Sequence, residues 1–203
     1  MRFYRAPQIA RFVFHRGIWK GRDKNSLYLT FDDGPHPEVT PFVLDILTEL
    51  KIKATFFCLG KNVRLYPELF NRILEEGHAV GNHSMFHENG LKTPTLPYIS
   101  SIEHAQKLIP SELFRPPYGK ITPIQMASIR RKLKLKIVFW SWLSYDYDQN
   151  VSPKEIIENA SKIKVGDILV FHDSEKAFPN LKQVLKPILI ELIKRNYTFR
   201  NDL

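Results

Sequence analysis

Short apolar runs alternate with longer segments of three-to-four-residue apolar spacing along most of the chain. The first kind predicts strands and the second helices. Residues 26–31 (SLYLTF) read as a strand buried on both faces, 41–50 as a helix, 54–57 as a strand, 67–76 as a helix and 78–82 as a strand. Further on, 98–108 is helical, Phe114 extended, 122–133 helical with Pro123 in its first turn, and 136–142 a β-branched and aromatic strand. Ser152 opens a helix over 152–162, and a strand at 167–171, a helix at 181–194 and a last strand at 197–200 complete the series. About seven strand–helix units predict a single α/β domain, a parallel sheet covered by helices, with function at the C-terminal ends of its strands.

The length of 203 residues suits one sizeable core, and no linker or repeat divides it. Apolar residues at 43% and charged residues at 25% describe a globular chain, and no apolar run approaches the ~18 residues of a membrane span. A single cysteine, Cys58, excludes an internal disulfide and a multi-thiolate metal site, and in the run ATFFC it reads as a small buried hydrophobe. The formal charge of +9 admits anionic polymers or surfaces as partners, with no specific nucleic-acid contact expected.

Much of that charge lies in residues 1–24, which carry seven basic residues against Asp23 alone. Arg11 leaves Phe12-Val13-Phe14 as the longest apolar run there, shorter than the roughly seven residues that a secretory signal requires. We therefore expect a basic arm over 1–24 ahead of a catalytic domain over 25–203, no signal peptide, and a protein that is cytoplasmic or unconventionally exported. The arm makes either a weak contact with an anionic surface or a lead-in helix packing Ile9, Phe12 and Val13 on the domain; the latter is the expectation. A second basic run, Arg130, Arg131, Lys132, Lys134 and Lys136, reads as a solvated helix end.

Polar, reactive residues collect just after the predicted strands. Asp32-Asp33-Gly34-Pro35 sets two carboxylates at the mouth of an apolar strand; alone it reads equally as a solvated turn. His83 and His87 stand four residues apart, so a helical turn would direct both at one ion, with Asp32 or Asp33 supplying a carboxylate ligand or a general base. Such a two-histidine, one-carboxylate set suits Zn²⁺ or another divalent transition metal. Arg115 precedes the rigid Pro116-Pro117 and Tyr118-Gly119, and His172 follows a strand where a histidine serves as acid or base near neutral pH.

Taken in order, TFDDGP (30–35), HSMFH (83–87), RPPYG (115–119), the Asp146 segment and LVFHD (169–173) resemble the five motifs of the polysaccharide deacetylases, the NodB-like carbohydrate esterases of family four. The resemblance runs from about Ser26 to the C-terminus. It implies a distorted (β/α) barrel of about seven parallel strands, in which Asp33, His83 and His87 bind a divalent metal, Zn²⁺ first and Co²⁺, Ni²⁺ or Mn²⁺ as alternatives. It further implies that Asp32 is the general base oriented by Arg115, and that His172 is the general acid partnered by Asp146. The Tyr118 backbone N–H would hold the oxyanion, with Pro116, Tyr147 and Leu169 or Val170 shaping the substrate pocket. The implied reaction removes acetyl groups from an N-acetylated carbohydrate, with an O-acetyl esterase, a non-sugar amidase or a non-catalytic binding relative as alternatives. Around Asp146 the sequence departs from many relatives, with Leu143 in place of an Asp and Tyr147 in place of a Trp, which leaves the groove wall open.

Overall fold

The structure is a computed structural model that describes residues 4–23 and 25–203; Arg2 and Lys24 of the basic arm lie outside the described residues. Its strands are β1 (Ser26–Asp32), β2 (Thr55–Cys58), β3 (Ala79–Asn82), β4 (Leu113–Phe114), β5 (Lys136–Ile137), β6 (Trp142–Leu143), β7 (Ile168–His172) and β8 (Thr198–Phe199). The helices are α1 (Gln8–Val13), α2 (Val39–Glu49), α3 (Gly60–Leu65), α4 (Pro67–Glu75), α5 (Thr95–Gln106), α6 (Pro123–Ser128), α7 (Pro153–Ala160) and α8 (Phe178–Lys194). The strand order is β5-β4-β3-β2-β1-β7-β6, with β8 paired to the first residues of β1. Every one of these pairings is parallel, and the sheet curls into a distorted, incompletely closed (β/α) barrel.

β1 is an interior strand between β2 and β7, and all seven of its residues are buried. Strand alternation divides its side chains: Leu27, Leu29 and Phe31 join the core that includes residues of α2 and α8, whereas Tyr28 packs with Phe57, Val138 and Ile168 on the other face. Thr30 and Asp32 share that second face, so the polar end of β1 opens inside the curl. Local signals set the helix starts: Thr122 and Gln125 form a reciprocal capping box on α6, Ser152 caps α7, and Pro67 opens α4.

The strand expected over 136–142 is split into β5 and β6. Between them the chain crosses from the flank of β4 to the flank of β7, so no sheet neighbour is continuous along it. The N-terminal arm supplies the missing partner. Ile18 bonds to Ile137 and Phe139 through its backbone, Tyr4 and Ala6 bond to Leu143 and Ser141, and Arg5 lies opposite Trp142. Trp19 stacks on Phe139 at 4.2 Å between ring centroids.

The arm's own helix differs from the expectation. Ile9, Phe12 and Val13 are not packed on the domain but are 74%, 82% and 52% exposed. Tyr4–Ala6 and Ile18–Trp19 fix the chain on both sides, and the six-residue α1 between them is too short to carry its apolar side chains back to the core.

Arg5 ties the arm down through two hydrogen bonds, 2.7 and 3.0 Å, to the fully buried Asp167 carboxylate. Arg5→Ala should therefore lower unfolding stability by about 2 kcal/mol, the range for hydrogen bonds to a charged group. An unchanged urea midpoint would show that the arm adds nothing to the seam.

Candidate active site

The segments at the C-terminal ends of β1 to β7 converge on one cleft of about 480 Å³. Asp32, Asp33, His83, His87, Pro116, Tyr118, Tyr147, Val170 and His172 line it. Arg115 and Asp146 sit behind this lining, buried, and act on it through Asp32 and His172.

Asp32 is the last residue of β1, and its Oδ1 accepts a 2.7 Å hydrogen bond from Arg115 Nη1. Arg115 is itself only 1% exposed. Nη1 also reaches Thr30 Oγ1 at 2.7 Å, Nη2 reaches the Phe139 carbonyl at 3.2 Å, and the guanidinium lies 4.0 Å from the centroid of the Phe57 ring. A planar cation held on four sides leaves the Asp32 carboxylate one orientation.

Asp33 follows at φ +84, which turns its side chain away from Asp32 towards the two histidines. Its Oδ1 stands 3.6 Å from His83 Nε2 and 3.1 Å from His87 Nε2. The three residues can bring one ligand atom each within 4.8 Å of one another. Burial by itself would raise the Asp33 carboxyl, yet the contact with His87 and the nearby His172, His83 and His87 charges hold it below its ordinary value.

The two histidines do not lie on a helical turn, as their spacing had suggested. Ser84 and His87 both have positive φ, and side-chain acceptors replace the helical ladder: Asn82 Oδ1 takes the Ser84 N–H, Ser101 Oγ that of Met85, and Ser84 Oγ that of His87. His83 Nδ1 donates to the Arg115 carbonyl at 2.8 Å, since a carbonyl only accepts, and Nε2 is left with its lone pair on the Asp33 side. Burial pushes the His83 imidazole down to about 4, so it is neutral at physiological pH and fit to be a ligand. The His87 ring packs against Tyr118 at 4.4 Å.

On the opposite wall, His172 Nδ1 lies 2.7 Å from Asp146 Oδ1, and the His172 backbone N–H donates to Asp146 Oδ2 at 2.9 Å. Burial lowers the imidazole's proton affinity, but the charge and hydrogen bond of Asp146, aided by Asp33 and Asp32, raise it to about 9. Asn180 in α8 steadies this wall by donating to the carbonyls of Asp146, Asp148 and Val151.

Tyr118 has φ +58 within the turn Pro117–Gly119, and a side chain on Gly119 would overlap the Trp140 ring. Gly34 is likewise required, because the buried Asp173 carboxylate accepts its N–H at 3.1 Å and fills the space a Cβ would take. Of the two candidates for the acetyl pocket, Val170 lines the cleft and Leu169 does not: alternation along β7 turns Leu169 into the helix-side core. His36, near the first motif, is not among the cleft's lining residues; its Nδ1 accepts from the Glu38 and Val39 N–H groups at the start of α2.

Sequence reading missed Leu59, Lys61, Asn62, Trp140, Ser174 and Lys176, which also line the cleft. Asn62 Nδ2 donates to the Asp33 carbonyl at 2.7 Å and so braces the turn between the two aspartates. The available signal was position alone: Lys61 and Asn62 lie in the helical turn that follows the end of β2.

Comparison with known proteins agrees with this geometry. A family model described as polysaccharide deacetylase matches residues 20–138. A peptidoglycan-N-acetylglucosamine deacetylase of Bacillus cereus is 35% identical over 178 residues, 84% of this chain and 83% of that protein. A chitooligosaccharide deacetylase of Azorhizobium caulinodans is 35% identical over 163 residues, 75% of each chain. Among solved structures, that of the Bc1960 peptidoglycan N-acetylglucosamine deacetylase in complex with a naphthalenyl N-oxidanyl-benzamide superposes with a TM-score of 0.81 at 31% identity, covering 91% of this chain and 90% of that one. The family model spans more than half of the residues and the barrel presents its motifs on one cleft: the chain belongs to the polysaccharide deacetylase family.

Proposed function

We propose that the protein is a metal-dependent hydrolase that removes N-acetyl groups from an amino-sugar polymer or oligomer and releases acetate. The observation that carries this reading is the pairing, across one cleft, of a carboxylate oriented by a buried Arg with a histidinium sustained by a buried Asp. Between them lies a three-residue donor set.

The donor set fits a divalent cation. Asp33 Oδ1 is buried without a hydrogen-bond partner, an arrangement that a ligated ion would relieve, and His83 is neutral with Nδ1 already engaged. Asp33, His83 and His87 would hold Zn²⁺, with Co²⁺, Ni²⁺ or Mn²⁺ as alternatives. When bound, the cation supplies Lewis acidity, lowering the pKa of water and favouring negative charge on the amide oxygen.

The chain's own groups carry the rest. Asp32 accepts a proton from the water as its oxygen bonds to the acetyl carbon, and Arg115 keeps the receiving oxygen in place. The backbone N–H of Tyr118 donates to the developing oxyanion. His172 delivers the Nε2 proton to the nitrogen as the C–N bond breaks, so the sugar leaves as a neutral amine. Val170, Leu143, Tyr147 and Trp140 form the apolar wall against the methyl and the sugar ring.

The polymer favoured is one that carries carboxylates, such as peptidoglycan, over neutral chitin. Lys61 and Lys176 stand exposed on the rim of the cleft, and neither makes an ion pair among the described residues. In the same reading, the basic arm makes a weak contact with an anionic surface.

Asp32→Asn should reduce kcat at least a thousandfold while metal content stays stoichiometric, because it removes the base and none of the ligands. His87→Ala should remove the metal itself. Activity in Asp32→Asn, or full metal occupancy in His87→Ala as measured by elemental analysis, would reverse those assignments.

The pH profile offers a separate check. His172 is raised, so its proton is held below about pH 9 and lost above it, which places the alkaline limb of kcat/KM near that value. Asp146→Asn removes the leading stabiliser of the charged form and should draw the limb down to or below the ordinary histidine range. An unmoved limb would assign it to another group.

A further inference from the structure

Lys134 and Lys136 stand at the end of β5 opposite to Trp140 and the catalytic cleft. Around them is a second cavity, of about 700 Å³, lined by Arg16, Arg130, Arg131, Lys134 and Lys136 over an apolar floor that includes Ile18 and Ile137. The run at 130–136, which sequence alone assigned to a solvated helix end, thus shares a concave surface with the N-terminal arm. α6 passes into a π-helical turn at Ile129–Leu133, and Lys134 follows at φ +59, a bend that brings both sides of the turn to the cavity. Among the described residues no carboxylate lines it. Lys136 pairs with the exposed Glu112 at 2.8 Å, and the other four cations make no ion pair among the described residues.

The arm that lends Arg16 and Ile18 to this cavity also carries Ile9, Phe12 and Val13, which face solvent. Ile18 is pinned to β5 and Trp19 to Phe139, and three residues of chain keep Val13 within about 11 Å of Arg16. Unpaired cations next to outward-facing apolar side chains match the two layers of an anionic bilayer, phosphate headgroups over acyl chains. A soluble polyanion would engage the cations and leave the apolar residues without a role.

We propose that this face docks on an anionic phospholipid surface, with lipid phosphates in the basic cavity and Ile9, Phe12 and Val13 at the headgroup–acyl boundary. The inference rests on the arm's contact with an anionic surface and gives it a built site in the domain; it does not depend on the chemistry of the cleft. Docked this way, the protein holds its catalytic mouth away from the bilayer, towards a polymer lying beyond it.

The test is co-sedimentation with vesicles of phosphatidylcholine alone or with added phosphatidylglycerol, using the full chain. Binding is expected only to the anionic vesicles and should fall as salt rises. Replacing Arg130, Arg131 and Lys134 together by Gln should weaken it roughly a hundredfold, from the contribution of each basic residue near a charged surface. Phe12→Ser should weaken it about tenfold. Urea midpoints and acetate release from a soluble oligosaccharide, unchanged in these variants, establish that they are folded. Failure of the wild type to bind anionic vesicles would overturn both the arm contact and the cavity. Binding unaffected by the triple substitution would overturn the cavity and leave the arm. Binding indifferent to Phe12→Ser and displaced by soluble polyphosphate would replace the bilayer with a soluble polyanion.

Discussion

Arg115 places a full positive charge inside the curl of the sheet, and the rest of the cleft is arranged around making that placement tolerable. A buried guanidinium is costly unless its donors are met and its charge is paired. Asp32 pairs the charge, Thr30 from β1 and the Phe139 carbonyl from the β5–β6 segment meet the other Nη contacts, and the Phe57 ring of β2 lies against the guanidinium, while Nε has no hydrogen-bond partner among the described residues. Each belongs to a different part of the barrel, so the pair fixes the strand ends relative to one another as well as orienting the carboxylate. The Arg115 backbone carbonyl in turn receives His83 Nδ1, so one residue positions both the Asp32 carboxylate and the His83 imidazole.

The opposite wall repeats the device with the signs exchanged. Asp146, fully buried, is answered by the ring and backbone N–H of His172, and Asn180 secures its loop. Two buried charges of opposite sign, each with its own partner, set the two walls apart: Arg115 orients the Asp32 carboxylate on one, and on the other Asp146 raises the His172 imidazole to about 9. Asp33 and the histidines lie between these walls, where neither buried charge is spent on them directly.

The alternation of apolar runs and helical periods carried the order of the elements well, because β1, β2, β3 and β7 are almost wholly buried and α2, α4 and α8 bury one apolar face. The motifs placed Asp32, Asp33, His83, His87 and His172 on one cleft. What pattern could not carry was set by contacts distant in sequence. The strand expected over 136–142 divides because the chain crosses from the flank of β4 to that of β7, and parts of residues 4–19 return to pair with it. Local side-chain acceptors override the helical spacing of His83 and His87. Adjacent residues Leu169 and Val170 carry equal apolar character, and only the register of β7 turns one to the core and the other to the cleft. Asn62 and Asn180 act through backbone carbonyls, which leave no trace in composition.

The barrel thus has two functional ends in this account, a catalytic mouth beyond the C-terminal strand ends and a basic face at the start of β5, joined by the arm that seals the seam. Its central claim is that the Asp33–His83–His87 set and the two flanking pairs hydrolyse an N-acetyl group. The most direct measurement is acetate release from peptidoglycan fragments and N-acetylglucosamine oligomers by protein stripped of divalent cations and then refilled with Zn²⁺. Silence from the stripped protein and recovery on refilling are expected. Release undiminished by stripping, or none from any N-acetylated substrate at stoichiometric metal, would contradict it.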